Sequence, residues 1–191
     1  MVTLVLFHSA LGLHPGLTAL ADALRVDGHE VVTPDLYGGR VADTTEQGVA
    51  LRDEIGITTL LARAEASLIG LPDDLVLAGA SMGVAPAQLL AADRPATRGV
   101  ICLHGCAPPS SLGLRSWPDV PLSVHLSPDD PWVDVDDLGF LEDLPSELAE
   151  VHRYPGTAHL FSHVGHADHD AAAQTLLVER LRAALARWSA A

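Results

Sequence analysis

The residues best placed to do chemistry are Ser81, the Asp129-Asp130 pair and His159. Ser81 is the centre of Gly79-Ala80-Ser81-Met82-Gly83, between an apolar run and a segment of helical period. A chain that turns from strand into helix within about one residue strains its central residue and leaves that side chain exposed at the strand's carboxyl end. Glycines two residues to either side leave room for the neighbouring strand and helix. Free N–H groups at the start of such a helix can hold an oxyanion. A serine hydroxyl is a weak nucleophile without a base, so a His and an orienting acid are needed downstream. Asp129-Asp130 follows the apolar run ending at Leu126, and His159 follows the one ending near Tyr154. Both positions fall at carboxyl ends of predicted strands, the edge where open α/β sheets place their sites. The chemistry this spacing predicts is nucleophilic catalysis by Ser81.

Other residues of the same types read differently. His8, His104 and His125 also lie near strand ends, as structural or site-lining side chains. His163, His166 and His169 repeat every three residues, but Gly165 and the polar surroundings predict a loop, and no Cys or fixed carboxylate set supports zinc. No metal site is expected. Cys102 and Cys106 are too few and too close for a disulfide framework and read as reduced thiols. All eleven basic residues are Arg, which excludes Lys-based Schiff-base or P-loop chemistry.

The elements that must position these residues alternate between short apolar runs and longer segments of helical period, the pattern of a mainly parallel sheet covered by helices. Strands are predicted at Val2–Phe7, Glu30–Thr33, Asp74–Ala78, Gly99–Leu103, Pro121–Leu126 and Leu148–Tyr154. Leu17, Leu20, Ala21 and Leu24 share one helical face. Leu51, Ile55, Leu61, Ala64 and Leu68 predict a single helix over about 50–69, and another is expected from about Met82 to Ala92. Pro86 would cost that helix a hydrogen bond unless it starts a residue or two late. A short helix is expected within Val133–Leu144, and a last one from about Asp170, with Leu177, Leu181, Leu185 and Trp188 along one side.

The 191 residues suit one domain, residues 1–191, and 48% apolar against 19% charged residues suits a globular core. No apolar run approaches the roughly 20 residues of a membrane helix, and Met1–Leu6 lacks the basic stretch of a signal peptide. The expectation is a soluble, cytoplasmic protein. A net charge of −14 repels nucleic acid and anionic membrane over most of the surface. A small molecule is the expected partner, and monomer and homodimer are both open.

With these residues in place, the chain resembles the dienelactone hydrolase family of α/β-hydrolases over nearly its whole length. The order Ser81, acid, His159 is the order of that fold. Phe7-His8-Ser9-Ala10-Leu11-Gly12-Leu13 looks like the family's first loop, and Thr33-Pro34-Asp35-Leu36-Tyr37 is similar to its P-D-L-Y motif. His125-Leu126-Ser127-Pro128-Asp129-Asp130-Pro131-Trp132 resembles its H-x-G-x-x-D-P-F stretch, which selects Asp130 over Asp129. Tyr154-Pro155-Gly156-Thr157-Ala158-His159-Leu160-Phe161 matches Y-x-G-x-x-H-x-F.

The resemblance implies a compact α/β-hydrolase fold of about six mainly parallel strands with helices on both faces, beginning at what is usually the third strand. It implies a Ser81-His159-Asp130 triad, no cofactor, and an oxyanion hole from the N–H groups of Met82 and Ala10, with Leu11 as the alternative to Ala10. The 17 residues from His104 to Val120 are too few for a lid domain, so an open site is expected, edged by Leu11, Leu13, His104, Trp117 and Trp132. Three departures bear on the substrate. The namesake enzymes have Cys where Ser81 stands, a Glu where Ser9 stands, and a carboxylate-binding Arg where His163 stands. Losing that Arg argues against dienelactone. The implied activity is hydrolysis of a small ester, lactone or thioester. The alternatives are a catalytically silent small-molecule binding protein on this fold, or an acyl transferase using the same serine.

Overall fold

The computed structural model describes residues 1–134 and 136–190. Its centre is a six-stranded sheet built from β1 (Thr3–Phe7), β2 (Glu30–Val32), β3 (Val76–Ala80), β4 (Gly99–Leu103), β5 (Leu122–Leu126) and β6 (Ala149–Arg153), in the order β2-β1-β3-β4-β5-β6. Every neighbouring pair is parallel. β3, β4 and β5 are buried throughout, as continuous apolar runs covered on both faces must be.

Alternate side chains feed two cores. Leu4 and Leu6 of β1 point into one core with Leu17 and Leu20 of α1 (Pro15–Arg25) and Leu177 and Leu181 of α5 (Ala171–Ala190). Val5 and Phe7 point into the other with Leu51 of α2 (Thr45–Ile55), Leu60 and Ala64 of α3 (Ile57–Ala66) and Ala87 and Ala91 of α4 (Val84–Ala92). Each fully buried Leu contributes about 1.5–3 kcal/mol. Gly99 lets α5 close on the sheet, since a Cβ there would come within 2.7 Å of the Trp188 ring.

Three expectations need correction. The single helix over 50–69 is two, α2 and α3, because Gly56 adopts φ 87 between them and closes α2 through its N–H to the Arg52 carbonyl. α2 also starts earlier, at the Thr44 cap. The third strand lies two residues later than expected, with Gly79 and Ala80 paired to Cys102 and Leu103. The helix after it begins at Val84, preceded by a 3-10 turn over Ser81–Gly83. Pro86 therefore sits in the first turn of α4, where a missing N–H is tolerated. The segment with Val133–Leu144 holds a 3-10 helix, Asp136–Asp143; Val135 lies outside the described residues. Among the described residues no helix is long and apolar enough to cross a membrane.

The order of strands reverses at β1, with β2 on one side and β3 on the other. The loop after β1 and the turn after β3 thus emerge side by side at the carboxyl edge. Such a switch point is where an open α/β sheet forms its crevice.

Candidate active site

β3 runs straight into Ser81, whose φ of 50 is a left-handed conformation that a residue with a Cβ rarely adopts. The flanking glycines make that turn possible. A Cβ on Gly79 would overlap the Gly83 carbonyl, and one on Gly83 would lie 2.5 Å from the Phe7 carbonyl oxygen. The strained serine is therefore held by backbone packing on both sides.

Ser81 Oγ lies 2.8 Å from His159 Nε2, and His159 Nδ1 lies 2.6 Å from Asp130 Oδ2. Asp130 and His159 are buried at 3% and 4% exposure, while Asp129 faces solvent. The turn after β5 fixes the acid: the Trp132 N–H donates to Asp130 Oδ1 at 2.8 Å, and the Asp130 N–H donates to the Ser127 carbonyl. The Ser127 hydroxyl donates to the Ala158 carbonyl, tying this turn to the loop that carries His159. A carboxylate on Nδ1 leaves Nε2 as the acceptor for a serine proton.

The first loop is equally constrained. His8 Nε2 accepts the Leu36 N–H at 3.0 Å, so its proton sits on Nδ1 and is donated to the Ser9 carbonyl at 2.7 Å. The Leu11 N–H donates to Ser9 Oγ at 3.3 Å. Asp35 accepts from the N–H groups of Tyr37 and Gly39, closing the turn after β2 that His8 holds through the Leu36 N–H.

Around Ser81 and His159 opens a cavity of about 400 Å3, walled by the first loop, α2, α3, the start of α4 and the loop after β4. His104 lines it, and the ring of His163 packs against His104 with centroids 5.6 Å apart. Burial holds His104 well below the ordinary histidine range, and the neighbouring His163, His159 and His125 push it the same way. Burial likewise lowers His163 to about 3, aided by His14, His166 and His159. His104 adopts φ 64, and its Nε2 lies 2.9 Å from the Ser162 hydroxyl.

The model of the dienelactone hydrolase family matches residues 1–188 of this sequence. The chain belongs to the dienelactone hydrolase family. That membership supports a hydrolase. A search of curated proteins finds no match. Solved structures share the fold at low identity. A dienelactone hydrolase-like promiscuous phosphotriesterase from metagenomic libraries is 20% identical, with 98% of this chain and 87% of that one covered, at TM-score 0.77. The dienelactone hydrolase from Anabaena variabilis is 22% identical, covering 97% and 86%, at TM-score 0.67. A cold-adapted esterase from an Arctic intertidal metagenomic library is 17% identical, covering 95% and 82%, at TM-score 0.66.

In this family member, Ser81, His159, Met82, Ala10, His104 and Trp132 meet at one cavity, with Asp130 behind His159. Three expected lining residues do not reach it. Leu11 is buried with Ala42 and Leu160. Leu13 packs against the core beneath α1 and α5. Trp117 is buried in the opposite core, its indole N–H donating to the Val120 carbonyl at 2.7 Å. The walls that sequence reasoning missed are Thr45, Val49 and Arg52 of α2 and Ile57 of α3. Val49 and Arg52, spaced by three, give a helical face that could have been read only with the helix start placed at Thr44. The loop after β4 carries a single 3-10 turn, Pro109–Leu112, and lends Cys106 and Pro108 to the wall.

Proposed function

We propose that this protein is a serine hydrolase that cleaves a small, uncharged ester, lactone or thioester through an acyl-enzyme. The observation that carries this reading is the continuous hydrogen-bonded series Ser81 Oγ, His159 and Asp130, at 2.8 and 2.6 Å, opening on the cavity. Ser81 Oγ attacks the carbonyl carbon as His159 Nε2 takes its proton. The carbonyl electron pair moves onto oxygen, and the N–H groups of Met82 and Ala10 hold that oxyanion. Leu11 is the poorer donor because its N–H is engaged by Ser9 Oγ. Collapse expels the alcohol or thiol, protonated by His159, and water then attacks the acyl-enzyme by the same steps in reverse. Asp130 keeps the proton on His159 Nδ1 and stabilises the imidazolium. The residues themselves supply nucleophile and proton transfer, so the mechanism calls for no cofactor.

The substrate class follows from the walls. Val49, Ile57, Val84, Ala85 and Val133 offer apolar surface to an acyl group, and a cavity of this size accommodates a small molecule. Where the resemblance implied an Arg for a substrate carboxylate, His163 is buried and neutral. Arg52, which also lines the cavity, is paired with Asp53 at 2.7 Å. Hydrolysis of a nitrophenyl ester series tests the reading. Short acyl chains should turn over, and Ser81→Ala should lower kcat/KM by about 10^3-fold or more. Undiminished turnover in Ser81→Ala would remove Ser81 from the mechanism.

A further inference from the structure

Tyr37 lies in the loop after β2, at 2% exposure, yet touches elements that carry both sides of the oxyanion hole. Its hydroxyl is 3.2 Å from Met82 Sδ and 3.3 Å from the Gly48 carbonyl oxygen of α2. Gly48 in turn rests directly on the first loop, because a Cβ there would overlap the Ala10 carbonyl. The Tyr37 ring packs edge-on against His8 at 4.7 Å, and His8 holds the Ser9 carbonyl and the Leu36 N–H. Burial pushes the Tyr37 hydroxyl up to about 12, so it stays a donor throughout the working range.

We propose that Tyr37 is a positioning residue for the oxyanion hole, the single proton of its hydroxyl shared between Met82 Sδ and the Gly48 carbonyl so that the Met82 side chain is held beside α2, at the point where Gly48 rests on the Ala10 loop. This rests on the reading of Ser81 as nucleophile and of Met82 and Ala10 as oxyanion donors. Such donors act only within about 2.7–3.1 Å of the developing charge, so a small drift of either loop costs rate. Tyr37 touches no substrate; it acts through Met82 and Gly48. The ring of Tyr37 belongs to the core, and the hydroxyl alone, sharing one proton between two acceptors, bridges Met82 and Gly48. Removing it should therefore weaken binding of the transition state and leave binding of the ester unchanged.

Tyr37→Phe keeps the ring against His8 and deletes the bridge. The expected result is a kcat about ten-fold lower with KM within about twofold. Affinity for an alkyl boronic acid, which adds to Ser81 and places an oxygen in the hole, should fall by a similar factor. The pH profile of Tyr37→Phe should be scaled down without a change of shape. Tyr154→Phe is the control, since it removes another buried tyrosine hydroxyl, bonded to His125 on the opposite face. It should leave kcat unchanged. Met82→Leu removes the sulfur acceptor while keeping the Met82 N–H, and should lower kcat several-fold in the same way; it carries the test if Tyr37→Phe does not fold. An unchanged kcat in Tyr37→Phe, or an equal loss in Tyr154→Phe, overturns the inference. If Ser81→Ala is inactive in the same assay, that outcome leaves the nucleophile reading standing. Activity in Ser81→Ala is instead the failure of the underlying reading.

Discussion

Asp130 is the residue whose role separates a working relay from three polar groups in a row. Its Oδ2 meets His159 at 2.6 Å while Oδ1 is held by the Trp132 N–H. Asp130→Asn would preserve that shape but turn an amide toward His159, favouring the imidazole tautomer that cannot accept the Ser81 proton. The expected outcome is a fall in kcat of roughly 10^4-fold, the size of the same exchange in the serine protease triad, with an unchanged circular dichroism spectrum. Normal turnover would contradict the role. At this scale the sequence located the candidate reacting groups, which the structure brings into hydrogen-bond contact, better than their surroundings. Ser81, Asp130 and His159 are marked by strand ends and by motif. Leu11, Leu13 and Trp117 were expected at the site and are core residues instead, because which way a loop side chain turns depends on packing that periodicity does not encode.

Among the elements, α2 matters most to the cavity, to which it contributes Thr45, Val49 and Arg52. Its start rests on Thr44, whose hydroxyl accepts the Gln47 N–H, while the Gln47 side chain accepts the Asp43 N–H. Thr44→Ala should cost about 1 kcal/mol and lower the melting temperature by about 2–4 °C, measured by calorimetry. No shift would mean that α2 is held by its packing alone. The six strands and the helices on both faces were legible because most of the strands are short apolar runs between turn residues, whereas the order of the strands in the sheet was not read from the sequence. The division between α2 and α3 was not. One glycine in a helical pattern is commonly tolerated, and only its φ of 87 shows a break. The break resets the phase, so Leu60 is buried where Leu61 was expected to be. The late register of β3 has a similar origin. Gly79 and Ala80 have low strand propensity, but they continue the strand because the elbow needs that space.

For the molecule as a whole, buried neutral histidines tie folding to pH. His104, His125 and His163 are all buried, and burial is the first cause of each lowered pKa. In the unfolded chain they would take up protons as the pH falls through about 6.5. In the folded protein they stay neutral, His163 to about pH 3. The unfolded state therefore binds more protons below 6.5, and stability must decline with acidification from that point. Melting temperatures from pH 8 to pH 4.5 should hold until about 6.5 and then drop steadily. A flat profile would contradict the buried, neutral assignment. The −14 charge adds no comparable acid penalty until carboxylates begin to protonate.

The central claim is that Ser81 is an activated nucleophile, and labelling with a fluorophosphonate read by mass spectrometry tests it most directly. One adduct per chain, mapped to Ser81 and absent in Ser81→Ala, is the predicted result, with labelling slowed in Asp130→Asn. An unlabelled protein under conditions that label a known serine esterase, or an adduct on another residue, would contradict it.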